Sequence, residues 1–408
     1  MSNYIVGLDI GSQNIKAAVA ELRKDGKPYL IRVFKSPSEG IRKGTIAEVG
    51  EATRSISHVL SEVKKISKSA IKNIYLGVGS HDSKVLFSKG VAAVSRANSE
   101  IYKDDIDRVI EASRAIKDIN NRMMLHLITQ EFIVDGVGDI RDPIGMIGNR
   151  LEVNSLIIDA FEPAIKNITR CVEIAGGDVA GLIFSPLASS RSVLTKNQKE
   201  LGVVLIDIGF GKTSISVYEE NKLLHTAIFP VGSGNVTNDL AIGVKSSIVA
   251  AEMIKFSFGS ALAKDVPSRE MIDFKKIDPA ARGTVSRRFI AEIIEMRLAE
   301  IFEFVNNELK RIGRSGQLPA GAVLVGAGAK IPAIVDLAKQ ELGLSVQVGV
   351  PDVSGFNLGA ELSVQIEDPE FACVVGLVGM GLDKTEVPAG QSFLPRNFFR
   401  NLLKYFMP

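Results

Sequence analysis

Residues 4–22 read YIVGLDIGSQNIKAAVAEL, and residues 202–220 read GVVLIDIGFGKTSISVYEE. Each stretch is an apolar run, then Asp-Ile-Gly, a short polar and glycine-bearing turn, and an alternating segment (Ile15, Ala17, Val19; Ile215, Val217). That order predicts a buried strand, a tight turn and a second strand, so each copy reads as a β-hairpin. Asp9 and Asp207 are the same landmark, about half of the 408 residues apart. A repeat at that spacing predicts two related lobes, each opening its sheet with such a hairpin.

The turns carry the chemistry. Phosphates need several donors at short range, and backbone N–H groups supply them where no side chain blocks the approach. Gly11, Ser12, Gln13 and Asn14 form the first candidate turn; Gly209, Phe210, Gly211, Lys212 and Thr213 form the second. Facing one another, two such turns would hold a triphosphate from both sides, with Lys16 and Lys212 adding charge. Asp9 and Asp207 would sit where a magnesium ion and its waters bridge the phosphates. Either turn alone is equally well read as an ordinary tight hairpin; the duplication favours phosphate. GKT at 211–213 is not the end of a P-loop, because Ile206 stands where that motif needs glycine and a strand follows in place of a helix.

GAGAKIP at 326–332 lies between a strand-like and a helix-like segment, and its small residues (Gly326, Gly328, Ala329) suit the approach of a flat adenine ring. AEMIK at 251–255 puts Glu252 and Lys255 on one helical face, either as a ribose-binding pair or as an ordinary surface pair. His58, His81, His126 and His225 show no ligand spacing, and neither GxSxG nor HExxH occurs.

Composition narrows the class. With 49 Lys and Arg against 47 Asp and Glu, the net charge is only +2, without the basic excess of a dedicated nucleic-acid binder. Two distant cysteines, Cys171 and Cys373, exclude a disulfide scaffold or a CxxC site. The N-terminal stretch lacks the pattern of a secretory signal, and no apolar run of about 18 residues occurs. A soluble, intracellular protein of several domains is expected. Helical and strand-like segments alternate in both halves, predicting α/β lobes around a cleft; one long helix is read through residues 291–312.

The C-terminal stretch differs. DKTEVPAGQS at 383–392 reads as a flexible linker. NFFRNLLKYFMP at 397–408 projects Phe398, Phe399, Leu402, Leu403 and Phe406 onto one helical arc. Arg400 and Lys404 fall opposite, and Arg396 precedes them. A wide apolar face with cationic flanks suits an anionic bilayer surface. Packing on the protein's own core is the other possibility, which a linker in front disfavours.

Beyond these features, LHLITQEFIVDG, DPIGM followed by RLEV, PLASSRSVLT and HTAIFPVGSGNVTNDLAIG make the whole chain resemble the FtsA family of actin-like bacterial cell division proteins. The resemblance implies an α/β, actin-like (ribonuclease H-like) two-lobe ATPase fold with an FtsA-type inserted subdomain and a C-terminal amphipathic helix. Its implied divisions are 1–85, 163–200 and 351–382 for subdomain 1A, and 86–162 for the inserted subdomain 1C. Subdomain 2A would take 201–226 and 303–350, and subdomain 2B 227–302; a linker at 383–394 and a membrane-binding helix at 395–408 complete the chain. ATP (or ADP) with Mg2+ is implied between the lobes, contacted by the residues named above and by Gly232, with Asp9 and Asp207 near the metal. Partners implied are the chain itself in filaments, the anionic membrane on its cytoplasmic face, later division proteins, and the C-terminal peptide of FtsZ, but no nucleic acid. That acidic peptide would suit Arg287, Arg288, Arg297 and Asn306.

The chain departs from the family where Gly-Gly-Gly-Thr-Thr-Asp is common, reading Gly-Phe-Gly-Lys-Thr-Ser at 209–214; Phe210 is expected to narrow the approach to the phosphates. Ser185 stands where related ATPases often place a Glu or Gln that orients the attacking water, so slow or undetectable hydrolysis is expected. Alternative readings are a kinase or Hsp70-like chaperone of the same fold, and a PilM-like peptide-binding ATPase of pilus assembly. The terminal amphipathic stretch speaks against the last.

Overall fold

The computed structural model describes residues 3–23, 27–114, 121–273, 283–358 and 360–386. They divide into two compact units, one of residues 82–166 and one of residues 3–81 with 167–386.

The larger unit contains two five-stranded sheets with the same topology. In space the first runs Val179–Phe184, Ile74–Val78, Tyr4–Ile10, Asn14–Glu21, Tyr29–Pro37. The second runs Val346–Val348, Ala322–Val325, Val203–Ile208, Thr213–Glu219, Lys222–Phe229. Counted along the chain within each lobe, both orders are 5-4-1-2-3. The first two strands form the antiparallel hairpin, and strands four and five join in parallel. The hairpin strands are buried almost throughout, which is why they read as apolar runs with little alternation.

Helices cover the sheets because their apolar residues fall on one stripe. Val49–Ile66 buries Ala52, Ile56, Val59, Leu60 and Val63. Arg287–Arg311 buries Ile290, Ile294, Leu298, Ile301, Val305 and Leu309 in the core of the second lobe. Ala372–Glu386 fills the corresponding place in the first lobe, with Val374, Leu377 and Val378 in its core. This helix corrects the linker reading of 383–386. The helix continues to Glu386, and Asp383 meets the Arg191 guanidinium at 3.1 Å. The rest of the expected linker and the amphipathic stretch lie outside the described residues.

The smaller unit is a four-stranded antiparallel sheet in the order Lys84–Ala93, Arg150–Phe161, Arg122–Val134, Val137–Ile140. The helix Lys103–Arg114 packs Ile106, Val109 and Ile110 against Phe132, Leu151 and Val153.

Candidate functional site

The two hairpin turns close in the same way. Gly11 N–H donates to the Asn14 carbonyl at 3.1 Å, and Gly209 N–H donates to the Lys212 carbonyl at 3.0 Å. They also meet: a Cβ on Gly211 would stand 2.8 Å from the Ser12 hydroxyl and 3.3 Å from the Lys43 amide. A side chain at 211 would crowd this approach. Across the same line, Lys212 Nζ donates to the Gly79 carbonyl at 2.5 Å, at the end of the strand Ile74–Val78.

Behind the turns stand the aspartates. Asp207 keeps part of its surface open but lies deep in the protein. That burial raises its carboxyl pKa, and the neighbouring charge of Asp9 raises it further. A hydrogen bond from Ser189 Oγ at 3.0 Å, and the charges of Lys16 and Lys212, pull the other way. Among the described residues no group of three or more His, Cys, Asp or Glu side chains gathers to hold a metal. Two mutually repelling carboxylates still fit Mg2+, a hard cation that takes oxygen ligands and draws the remainder from phosphates and water. Mg2+ would supply charge neutralisation here.

Gly232 lies beneath the second turn, where a Cβ would be 2.5 Å from the Gly209 carbonyl oxygen. Ser233 and Gly234 donate their N–H groups to the Gly209 and Phe210 carbonyls at 2.9 and 2.8 Å, so the start of the helix Ser233–Gly243 braces the turn. Phe210 does not point across the gap between the turns. Its ring packs on Gly234, where a Cβ would meet it at 2.7 Å, and Lys255 Nζ lies 5.7 Å from the ring centroid. The expected narrowing by Phe210 is therefore corrected: the helix start takes up the ring.

Lys255 is buried, not a surface residue. Its ammonium donates to Glu252 at 2.7 Å, Thr237 at 2.8 Å and the Ser233 carbonyl at 3.2 Å. Burial lowers its pKa while Glu252 opposes the shift. Glu252 turns its other oxygen to Gln13 Nε2 at 2.9 Å, linking the first turn to the second lobe. Gly326, with φ of 84°, would place a Cβ 2.4 Å from Asp207 Oδ1, and Gly328 sits against Ile208. The 326–329 turn thus owes its small residues to contact with the second hairpin, and Ala329 is buried there. Lys330 anchors the turn to Asp368 at 2.6 Å, and Glu370 joins it to Lys35 of the first lobe at 2.7 Å.

Three participants were not singled out in the sequence as site residues: Ser189, Gly79 and Cys373. Ser189 lies within the motif PLASSRSVLT, but no local signal marks Gly79 or Cys373. The Cys373 thiol is pushed well up by burial and by Asp9 and Asp207. Ser185 donates to the Val78 carbonyl at 3.3 Å, so its hydroxyl is already engaged.

The arginines named for an acidic peptide are mostly paired. Arg287 holds Glu270 at 3.0 Å; Arg297 grips Asp239 at 2.5 and 3.1 Å and also contacts Glu300. Asn306 donates to the Glu341 carbonyl at 3.3 Å. Arg288 has no ion pair among the described residues. Arg396, Phe398, Phe399, Arg400, Leu402, Leu403, Lys404 and Phe406 lie outside them.

Comparison with known proteins joins these observations to a family. A family model for "Cell division protein FtsA" matches residues 204–376, and one for the "SHS2 domain inserted in FTSA" matches residues 82–159. Cell division protein FtsA of Pseudomonas aeruginosa is 34% identical over 381 residues, covering 93% of this chain and 89% of its own. The Bacillus subtilis protein is 34% identical over 373 residues, covering 91% and 82%. Among solved structures, a PilM–PilN type IV pilus biogenesis complex superposes with a TM-score of 0.65 at 16% identity, covering 93% of this chain and 98% of that one. MreB5 of Spiroplasma citri bound to ADP gives 0.53 at 14%, covering 94% and 97%. These likenesses establish the actin-like fold, and the sequence relatives establish the lineage: the chain belongs to the FtsA family of cell division proteins.

Proposed function

We propose that this chain binds ATP or ADP with Mg2+ between its two lobes, polymerises on the cytoplasmic face of the membrane, and tethers FtsZ there. The observation that carries the nucleotide reading is the meeting of the twin turns, Ser12 against Gly211, with Asp9 and Asp207 behind them. Backbone N–H groups of the turns would hold phosphate oxygens, Asp9 and Asp207 would orient the cation and its waters, and Glu252 would face the ribose once Gln13 yields. MreB5 of S. citri, solved with ADP and with AMPPNP, has the same fold. Hydrolysis is proposed to be slow, because Ser185 offers neither a carboxylate nor an amide to the attacking water. Fluorescent ATP should bind saturably in the presence of Mg2+; no saturable binding would remove the nucleotide reading. The PilM-like alternative has less behind it, since that likeness at 16% identity is one of fold, whereas the FtsA relatives reach 34%.

The membrane reading rests on sequence. Among the described residues no helix is long and apolar enough to cross a bilayer. The amphipathic stretch at 397–408 would lie on the surface instead. Each large apolar side chain contributes at most roughly 1.5–3 kcal/mol, part of it consumed in forming a short helix, so single tails bind weakly and filaments bind by avidity. The full chain is expected to sediment with anionic liposomes and a chain ending at Gly390 to stay in solution; equal sedimentation would defeat the proposal.

For the FtsZ peptide, Arg288 is the candidate arginine that has no internal acid to give up among the described residues. Arg288→Glu should weaken binding of a synthetic FtsZ C-terminal peptide about tenfold in fluorescence anisotropy. An unchanged affinity would move the peptide away from this helix start.

A further inference from the structure

The two turns differ at one charged position. Within its hairpin, Asp9 faces Lys16, whereas Asp207 faces Ser214. The second hairpin instead carries its lysine two residues earlier, at the exit of the turn, where the first has Asn14. Lys212 directly precedes the strand Thr213–Glu219, so the charge moves toward the line where the turns meet. There Lys212 Nζ lies 2.5 Å from the Gly79 carbonyl, and a Cβ on Gly44 would come within 3.3 Å of it. No carboxylate pairs with Lys212 among the described residues. Its ammonium is anchored by a neutral carbonyl, within electrostatic reach of Asp207.

We propose that Lys212 is a positioning residue of the phosphate site that takes over part of the charge neutralisation otherwise left to a divalent cation. This rests on the nucleotide reading above and deepens it. A triphosphate entering between two carboxylates meets repulsion that a cation must relieve. A lysine anchored across the meeting line supplies one fixed positive charge at no cost of ion capture. The Gly79 carbonyl fixes where the ammonium sits, since a flexible side chain left in solvent would contribute less. Nucleotide binding by this chain should consequently persist when the divalent cation is withdrawn.

The experiment is the equilibrium affinity of the full chain for fluorescent ATP in Mg2+ and in EDTA, measured for the unaltered chain, Lys212→Gln, Lys212→Met and Lys212→Arg. The unaltered chain should lose less than about fivefold on going to EDTA. Lys212→Gln and Lys212→Met should lose affinity in both conditions but at least about tenfold more in EDTA than in Mg2+, a dependence that a purely structural role would not produce. Lys212→Arg should recover most of the EDTA affinity. Equal losses in both conditions, or an arginine variant that behaves like glutamine, would overturn the proposal. So would an unaltered chain that binds with Mg2+ and loses all affinity in EDTA, although the nucleotide reading would survive. Failure of the unaltered chain to bind in either condition would overturn both.

Discussion

Gly376→Ala is expected to destabilise the larger unit by about 3 kcal/mol or more, although it adds one methyl group. The Cβ would stand 1.7 Å from the Ala188 carbonyl oxygen and 2.4 Å from its carbon. Both are backbone atoms of the helix Ser185–Val193, so no side chain can swing aside. Nor can the helix Ala372–Glu386 move the other way, because its Val374 carbonyl lies 2.5 Å from where a Cβ on Gly7 would be. The helix is wedged between a strand and a second helix at backbone contact, and Ser192 Oγ bonds the Ala372 carbonyl at 2.6 Å. Close-packed interiors do not absorb such a displacement. The same shift would carry Ser189, which holds Asp207, so nucleotide affinity should fall together with stability. Gly379→Ala on the same helix is the control. Its nearest new neighbour is Arg191 Cγ at 3.9 Å, and gaining a better helix former should leave stability unchanged or raise it by up to about 1 kcal/mol. Urea unfolding of both variants checks this; equal midpoints would mean that the close packing at Gly376 is not what holds the helix.

The difference between those two glycines cannot be read from the chain, and it marks where sequence reasoning stops. The twin hairpins were legible because a tight turn after a buried strand imposes its residues locally, so the repeat survives in the letters. The antiparallel pairing of each hairpin and the four-residue closure of each turn follow from that local requirement, whereas the shared strand order rests on parallel pairing between distant segments. Phe210 was legible as bulk but not as direction: its ring goes where Gly234, distant in sequence, leaves room. Arg297 looked available because its partner Asp239 belongs to another helix. The helix end at Glu386 was hidden by polar residues that suit a linker, while Asp383 finds Arg191 only in three dimensions. Glycines 326 and 328 were read as room for an adenine ring, yet their small size is required by Asp207 and Ile208, which lie more than a hundred residues earlier. Local conformation was written in the sequence; the partners that decide a side chain's use were not.

Asp207→Asn is expected to move stability and nucleotide affinity in opposite directions. Because burial and Asp9 raise the Asp207 pKa, the folded state disfavours its ionised form relative to the unfolded chain. A carboxyl with a raised folded pKa costs stability once the pH exceeds its unfolded value. The cost grows until the folded group ionises and is then constant. Asparagine keeps the shape and can still accept from Ser189, while removing the charge. Without divalent cation at neutral pH, the variant should therefore be more stable by something on the order of 1 kcal/mol. That gain should shrink as the pH falls toward the ordinary carboxylate range, where both forms are neutral. With Mg2+ present, the missing anionic ligand should lower ATP affinity at least tenfold. Thermal melts across pH 4–8 and a titration with fluorescent ATP test the two halves separately. Loss of stability at neutral pH would show that Lys16, Lys212 and Ser189 already outweigh the repulsion, leaving the site no electrostatic reason to bind a cation. If both expected changes appear, the site holds a charge that the fold alone disfavours and that a cation-bound nucleotide relieves.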